Sequence, residues 1–562
     1  MSADKPMSVV LCWHMHQPEY RDTQSGTIHQ PWTYLHAIKD YVDMAAHIEA
    51  RPGARAVVNF APILLEQIED YTLQVRDFLE QGHAIRDPLM SALAEPAMPG
   101  DDGQRMKLIQ DCVRANRAHM IDRFKPYRQL AQAVDWLRRD PGALTYVSDQ
   151  FLADLLVWYH LSWMPEFERR SDTRIARLQD KCRNYSLQDR RELLGIIGEL
   201  LESILPRYRA LAEQGAVELA MSPYSHPILP LMLDMHSARE AMPDCVLPSE
   251  PHYPGGEARA RWQLEQGLAT FERIFGRRPA GLWPSEGGVS QATLDIAEQC
   301  GFSWAASGGG VLTNSHTEQS RSCRHRVYRF GSNGINCFFR DDGLSDLIGF
   351  QYSDWHADDA VADLLNHMSQ IADHCPDRRD CLITIILDGE NAWEYYPENA
   401  WHFLGGLYQG IMDHPRLELT TFSDFLARKQ PVPAREERIV AGSWVYGTFS
   451  TWIGDPDKNR AWELLVQAKR CFDEVMVAGT LNEAQQRAAE WQLAVCEGSD
   501  WFWWFGEYNA SETVSQFDQL YRLHLANLYS LLGLEAPAEL AEVISLGGGS
   551  PDQGGVMRRS GN

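Results

Sequence analysis

The sequence is poor in positive charge and in long apolar runs. Its 562 residues carry 52 Lys and Arg against 77 Asp and Glu, a formal net charge of −25. Because such a surface repels phosphate groups, nucleic acid and anionic membranes are disfavoured as partners. No apolar run reaches the roughly 20 residues that cross a bilayer, and the opening MSADKPMSVV lacks the basic and apolar regions of a signal peptide. We therefore expect a cytoplasmic protein with neither nucleic acid nor membrane as a partner.

Closely paired cysteines are also missing. The 11 cysteines include no C-x-x-C pair, and their number is odd. Both features disfavour a disulfide framework and fit reduced thiols in a cytosol. The spacing of the cysteines indicates no further role for them.

Tryptophan, in contrast, is abundant, with 18 residues in the chain. Large proteins bury many tryptophans in their cores, so the count has a purely structural explanation. Indole faces also stack on sugar rings, because an apolar body with one N–H donor suits an amphipathic ligand. Composition leaves both interpretations open.

Short apolar segments alternate with helical stretches through much of the chain. The strand candidates are residues 8–15, 54–62, 216–223, 280–286, 302–307, 335–341 and 381–388. Strands that alternate with helices predict a parallel sheet covered by helices. Seven such strands predict an α/β fold, a TIM-like barrel in which one of the eight positions is missing or irregular.

The other segments divide the chain further. Residues 63–213 are charged and helical in period, which predicts a large helical insertion within a barrel domain of residues 1–430. Residues 431–545 are mostly helical in pattern and predict a C-terminal helical domain. The Gly/Ser-rich residues 546–562 predict a disordered tail.

Polar residues follow several of the predicted strands, at the end where parallel barrels assemble their active sites. In WHMHQP, His14 and His16 are two residues apart and share one face of an extended chain, with Gln17 next in sequence. The two histidines are suited to a metal, to ligand hydroxyls or to a purely structural role. In GAVELAMSPYSHP, Glu218 lies inside a strand pattern and His226 follows the turn. A buried carboxylate that holds a neighbouring side chain explains Glu218 as well as catalysis does.

Two later strand ends carry carboxylates beside tryptophan. GLWPSEGG contains Trp283 and Glu286, and LDGENAW contains Asp388, Glu390 and Trp393. Two carboxyl groups that face each other across a sugar can cleave a glycosidic bond. One acts as the ionised nucleophile, and the other keeps its proton and acts as the acid.

A dense aromatic stretch, SDWFWWF, lies in the helical part of the chain. Its aromatics exceed what an amphipathic helix needs, although a core cluster accounts for some of them. We predict that this segment, which contains Asp500 and Trp501, closes over the mouth of the barrel.

Together these stretches resemble the sequence regions of glycoside hydrolase family 57. H-x-H-Q-P, G-x-V-E-L, W-P-S-E-G-G, L-D-G-E-N and S-D-W occur in the family's order from residue 8 to about residue 530, and the pattern is most similar to the α-amylase/α-mannosidase-like bacterial members. The resemblance implies a (β/α)7 barrel followed by a helical domain. It also implies a retaining mechanism on α-glucan or maltooligosaccharide, without catalytic metal or cofactor.

By motif, the resemblance makes Glu286 the nucleophile and Asp388 the general acid/base. The expected substrate-binding residues are His14, His16, Gln17, His226, Trp283, Arg340, Glu390, Trp393, Asp500 and Trp501. For Arg340, in FFRDDGLSD, a core ion pair is the alternative to a ligand contact.

Three other functions compete with hydrolysis. A metal-dependent polysaccharide deacetylase also has a short barrel, but the H-x-x-x-H spacing common among its metal ligands is absent from this sequence. A non-catalytic glycan-binding protein would have no need of both carboxylates. Transglycosylation, by a 4-α-glucanotransferase or a branching enzyme, shares the covalent intermediate and differs only in the acceptor. The sequence leaves that choice open.

Overall fold

The computed structural model describes residues 5–316, 323–331, 334–375 and 378–549. Its strands belong to one sheet. They are β1 (Met7–Met15), β2 (Ala56–Phe60), β3 (Val217–Met221), β4 (Gly281–Leu282), β5 (Trp304–Ser307), β6 (Tyr328–Phe330), β7 (Asn336–Phe339), β8 (Leu382–Asp388), β9 (Leu417–Leu419) and β10 (Ala434–Glu436). Residues 550–562, most of the predicted disordered tail, lie outside the described residues.

The sheet curls into an incomplete barrel. Its hydrogen-bonded order is β10-β6-β7-β5-β4-β3-β2-β1-β8, and β9 also pairs with β1. The pairs are parallel except for β6 with β7. All seven strands predicted from the sequence are present, and the predicted (β/α)7 TIM-like fold is confirmed. The sequence did not indicate β6, β9 and β10, because three residues are too few to show a period.

The barrel has a seam between β7 and β8, which do not pair as strands in the described part of the chain. Beyond the end of β7, the amide of Asp341 donates to the carbonyl of Thr384 at 2.8 Å. At the first residue of β8, the amide of Leu382 donates to the carbonyl of His325 at 2.7 Å. Loop segments, rather than a strand ladder, therefore close this side of the barrel.

The inside of the barrel is tightly filled. Strands β1 and β8 are buried along their whole length, as expected of apolar runs in a parallel sheet that is covered on both faces. Glu218, on β3, accepts from the indole of Trp304 at 2.7 Å, and from the amide and hydroxyl of Ser423 at 2.9 and 2.6 Å. This carboxylate holds neighbouring elements together, which is the structural alternative that the sequence left open.

The first ten α-helices precede β3. Two of them, α1 (Trp32–His36) and α2 (Val42–Glu49), lie between β1 and β2. Eight lie between β2 and β3: α3 (Pro62–Gln81), α4 (Pro88–Ala94), α5 (Asp102–Asp111), α6 (Lys125–Arg139), α7 (Asp149–Ser162), α8 (Glu166–Ser171), α9 (Thr173–Lys181) and α10 (Leu187–Glu213).

The later helices alternate with the remaining strands and then continue alone. The barrel helices are α11 (Leu229–Leu233), α12 (Ala238–Ala241), α13 (Gly256–Phe275), α14 (Gln291–Gln299), α15 (Gly309–Ser315), α16 (Asp342–Phe350), α17 (Ala357–His374), α18 (Trp401–Asp413) and α19 (Phe422–Lys429). They are followed by α20 (Pro456–Ala478), α21 (Glu483–Cys496), α22 (Asp500–Trp504) and α23 (Ser511–Leu531). Within the described residues, no helix is long and apolar enough to cross a membrane.

A short stretch of the predicted tail contacts the helical part. The amides of Gly548 and Gly549 both donate to the carbonyl of Asn509 at 3.0 Å. These contacts place residues 546–549 against the loop between α22 and α23.

A buried ion pair joins the last helices to the barrel. The carboxylate of Glu497, just after α21, accepts from Arg259 Nε and Nη2 of α13 at 2.7 and 3.0 Å. Gln263 and Tyr253 donate to the same carboxylate, both at 2.6 Å. All four lone-pair directions of one buried carboxylate are therefore used to hold α21 against the barrel.

We expect the substitution Glu497→Gln to destabilise the protein by about 3–5 kcal/mol, because it leaves the buried Arg259 without its counter-charge. The midpoint of thermal unfolding should fall clearly. The control is Glu490→Gln, which removes a half-exposed carboxylate 3.6 Å from the same guanidinium, and it should change stability by less than about 1 kcal/mol. Equal effects of the two substitutions would contradict this assignment.

Candidate active site

One cavity of about 520 Å³ opens at the carboxyl ends of the strands. Glu286, which follows β4, and Asp388, which ends β8, both line it. The same cavity is lined by His14, His16, Gln17, Glu390 and Asp500. Residues that the sequence places up to 486 positions apart therefore meet at one edge of the sheet.

Glu286 is held in an unusual backbone conformation. Its φ and ψ are 59° and 25°, in the left-handed region that non-glycine residues rarely adopt. Such strain costs on the order of 1–3 kcal/mol and persists where the surroundings enforce it. Here Trp444 does so, because its amide donates to the carbonyl of Glu286 at 3.0 Å and its indole Nε1 donates to Oε2 at 2.9 Å. His226 Nδ1 lies 3.9 Å from Oε1.

The glycine after Glu286 is required by the turn. Gly287 also has a positive φ, 60°. A Cβ there would lie 3.0 Å from the indole of Trp283 and 3.3 Å from the Cβ of Trp444. A side chain at this position would displace the indole that holds the carboxylate of Glu286.

Asp388 lies in a different environment. Burial raises the pKa of its carboxyl to about 6, and the amide of Asn391, which donates to Oδ2 at 3.0 Å, opposes the shift. The charges of His16 and Arg340 oppose it further. Asp388 therefore keeps its proton nearly to neutral pH, which a surface aspartate would not do.

Glu390 lies close to Asp388, and its side chain holds the residues that directly follow strand β1. It accepts from the amide of His16 and from Gln17 Nε2, both at 3.3 Å. Burial, together with the charge of Asp388, raises the pKa of Glu390 well above its usual value. Since two adjacent buried carboxyl groups are rarely both ionised, Glu390 serves as a neutral positioning group.

Three histidines form a stack beside the cavity. His14 and His16 line it, whereas His226 is fully buried and is not part of the lining. The ring of His226 lies 3.9 Å from that of His16 and 5.0 Å from that of His14, with 20° between the planes in each case. Burial lowers the pKa of His14 to about 3 and the pKa of His226 well below its usual value. Asn59 Oδ1 lies 2.6 Å from His14 Nδ1 and fixes that ring. His14 and His226 are therefore neutral at physiological pH.

Two ring nitrogens of this stack are buried without a hydrogen-bond partner among the described residues, His16 Nδ1 and His226 Nε2. A buried polar atom with no partner is rare in a native structure, because it forfeits its hydration.

Helix α22 covers one side of the cavity. Asp500, Trp503 and Trp504 line it, and Asp500 contacts His16 Nε2 at 3.0 Å. The helix is docked through Ser499, whose amide donates to the carbonyl of His226 at 3.0 Å. Trp501 points to the other side, where its Nε1 donates to the carbonyl of Val495 at 2.9 Å.

Four more of the residues named from the sequence lie outside the lining. One of them is His226, which is fully buried in the histidine stack. Arg340 pairs with Asp342 and Asp346 at 3.0 and 2.9 Å, in the core ion-pair arrangement considered as its alternative. Trp283 is fully buried and packs edge-on against Trp444, with ring centres 5.2 Å apart. Trp393 donates its Nε1 to the carbonyl of Gly389 at 2.9 Å.

Sequence reasoning missed Trp444, Asn391 and Asn59, each of which contacts a predicted site residue. It also missed most of an aromatic wall, of which only the SDWFWWF segment was expected at the mouth of the barrel. Its members are Tyr20, Trp32, Trp163, Trp503, Trp504 and Phe517. Asn391 lies in the L-D-G-E-N stretch, so a signal was present there. The wall comes from three distant segments, and no local pattern joins them.

Part of the site has the composition of a metal centre. His16, His226 and Asp500 each offer one ligand atom, and these atoms lie within 4.8 Å of one another. Two imidazoles and a carboxylate suit zinc. The expectation of no catalytic metal stays a prediction.

The sequence model of glycosyl hydrolase family 57 matches residues 10–437, more than half of the chain. The chain belongs to glycosyl hydrolase family 57. The match contains both carboxylates, the three stacked histidines and the barrel strands. A comparison with curated proteins found no match.

Solved structures of this family share the fold. The GH57-type branching enzyme from Pyrococcus horikoshii is 16% identical, with a TM-score of 0.57 over 95% of this chain and 93% of that one. The α-amylase AmyC from Thermotoga maritima is 14% identical, with a TM-score of 0.55 over 95% of each chain. The 4-α-glucanotransferase from Thermococcus litoralis is 12% identical, with a TM-score of 0.52 over 93% of this chain and 60% of that one. At these identities the likeness concerns the fold alone.

Proposed function

We propose that this family 57 enzyme is a retaining glycoside hydrolase that acts on α-glucan, with Glu286 as the nucleophile and Asp388 as the general acid/base. One observation carries the proposal. Two carboxyl groups on different strand ends line the same cavity in contrasting surroundings. Glu286 accepts a hydrogen bond from Trp444, whereas Asp388 is buried with a raised pKa. A retaining pair needs this difference between an ionised and a protonated carboxyl group.

The proposed reaction has two steps. The carboxylate of Glu286 attacks the anomeric carbon, the glycosidic C–O bond breaks, and Asp388 gives its proton to the departing oxygen. Asp388, now ionised, then takes a proton from water, the water oxygen attacks the anomeric carbon, and the ester to Glu286 breaks. Both groups return to their starting states, and two inversions leave the configuration retained.

The walls of the cavity support a neutral sugar as the substrate. The neutral imidazole of His14, which lines the cavity, can form hydrogen bonds to sugar hydroxyl groups. Trp32 and Trp504 are partly exposed in the lining, and indole rings of this kind can pack against sugar rings. The amylase, branching and glucanotransferase activities named for the structural neighbours fit an α-glucan.

Transfer to a second sugar is the competing outcome of the same chemistry. The wall formed by helix α22 and by residues 114–116 of the insertion favours it, because a covered cavity limits the access of water to the intermediate. One of the structural neighbours is named a branching enzyme and another a 4-α-glucanotransferase.

On maltooligosaccharides and on branched glucan we expect mainly shorter products, which chromatography and mass spectrometry of the digest would detect. Longer oligosaccharides would assign a 4-α-glucanotransferase, and new branch points would assign a branching enzyme. Acetate release from an acetylated glycan without cleavage of the chain would contradict the glycosidase proposal.

Substitution of the two carboxylates separates their roles. Glu286→Ala and Asp388→Ala should each lower turnover by about 10³-fold or more. Azide should rescue Asp388→Ala on an activated aryl glycoside with retained configuration, because the azide ion needs no base to attack the glycosyl-enzyme. The azide product of Glu286→Ala should have the inverted configuration, since azide then attacks in place of the nucleophile. The configuration of both azide products can be determined by NMR.

The matched control is Glu298→Gln, on the exposed face of α14, which should keep wild-type turnover. If the azide product of Asp388→Ala is inverted and that of Glu286→Ala is retained, the two residues have the opposite catalytic roles. Full activity of either alanine variant would remove that residue from the mechanism.

The pH profile should report the carboxyl group of Asp388. Its raised pKa, about 6, means that the acid form is present below that pH and is lost as the pH rises through it. The value of kcat/KM on an unactivated maltooligosaccharide should therefore fall about tenfold per pH unit on the alkaline side. In Asp388→Asn, assayed with an activated glycoside, this alkaline limb should disappear. If the alkaline fall in kcat/KM persists unchanged in that variant, it reports the titration of a group other than Asp388.

A further inference from the structure

Three cysteines from separate segments meet at the seam of the barrel. Cys323 precedes β6, Cys375 caps the end of α17, and Cys381 directly precedes β8. Their Sγ atoms all lie within 4.8 Å of one another, and all three are free thiols. Cys375 and Cys381 are buried, and Cys323 is partly buried.

A histidine completes the group. The imidazole of His325 lies beside the group and interacts with the side chains of Cys323 and Cys375. Its Nε2 is 2.7 Å from Asp341 Oδ2, which leaves Nδ1 as the nitrogen on the side of the sulfur atoms. A ligand histidine whose other nitrogen is held by a carboxylate is the usual arrangement at zinc sites, since it fixes the tautomer and orients the ring.

We propose that Cys323, His325, Cys375 and Cys381 bind a structural Zn²⁺ ion. Zinc prefers four tetrahedral ligands of this type, and a Zn–S bond of about 2.3 Å places two ligand sulfurs roughly 3.8 Å apart. The three sulfur atoms lie within 4.8 Å of one another, so a small adjustment brings them to that separation. Binding replaces the thiol protons with the metal, so the three cysteines become thiolates and their protons pass to the solvent.

The site is independent of the proposed catalysis. Four protein ligands leave no open position for water or substrate, which is typical of structural zinc. The length of β8 lies between Cys381 and Asp388, seven residue steps or about 23 Å at 3.3 Å per residue. The site is also separate from His16, His226 and Asp500 in the cavity.

Its place in the fold explains what the ion does. The ligands come from both sides of the seam where β7 and β8 do not pair, and Cys381 forms a bridge to Arg326 across it. Asp341, which holds the histidine, donates its amide to Thr384 of β8 and caps α16 through Leu344. Zinc would therefore fasten the one side of the barrel that has no strand ladder among the described residues.

The test measures the metal content of the full-length protein, purified with a reductant from zinc-supplemented cells. Elemental analysis should find one zinc ion per chain in the wild type. Cys323→Ser and Cys381→Ser should lose it and unfold at a lower temperature. Cys245→Ser, which changes a thiol outside the group, should keep both zinc and stability. Asp500→Asn should also keep its zinc, because the cavity group is not the site.

A second measurement covers variants that fail to fold. Wild-type protein is unfolded in denaturant that contains a chelator. The chelator is then removed, and the protein is refolded with Co²⁺ as the only added metal. The strong visible bands of tetrahedral thiolate cobalt should appear, and Zn²⁺ should abolish them. A folded wild type without stoichiometric zinc would overturn the proposal. So would a disulfide between two of these cysteines in non-reduced peptide maps, or loss of the zinc from Asp500→Asn rather than from the cysteine variants.

Discussion

The register of three neighbouring strands sets the geometry of the whole site. In the parallel pairing of β8 with β1, Asp388 lies beside His14, and in the pairing of β1 with β2, His14 lies beside Asn59. Side chains alternate between the two faces of a strand, so a shift of one residue would turn all three away from the cavity. The burial of β1 and β8 along their whole length prevents such a shift, because it would also reverse their apolar side chains.

The site combines buried polar groups that would be unstable alone. His14 and His226 are neutral because burial lowers their pKa, whereas burial raises the pKa of Asp388 to about 6 and that of Glu390 well above its usual value. Neutral groups remove most of the cost of burying charge. The carboxylates of Glu286 and Asp500 line the same cavity, so its surface is rich in the hydrogen-bonding groups that a sugar requires.

The two ends of β8 contribute to two different sites. Its carboxyl end presents Asp388 to the cavity, and its amino end lies at the seam beside the cysteine group. Because β8 is the last strand in the sheet order, its position depends on β1 on one side and on loop contacts on the other. Whatever stabilises the seam therefore also maintains the position of the carboxyl group of Asp388.

Local patterns in the sequence predicted much of this. Runs of branched apolar residues identified the seven barrel strands, and the polar residues after them placed Glu286 and Asp388 at one edge of the sheet. Both predictions depend on periodicity and on the rule that parallel strands present their carboxyl ends together, so they need no knowledge of distant contacts.

The tertiary structure decided which side chains take part. Asp500 reaches the cavity and Trp501 does not, because adjacent residues of a helix point in different directions. Trp444 holds Glu286 from 158 positions away. The thiol group is the clearest case, since Cys323 and Cys381 have no paired spacing in the chain and meet only because the barrel closes at that seam. Sequence patterns report neighbours along a strand or helix, whereas these contacts depend on how the elements pack.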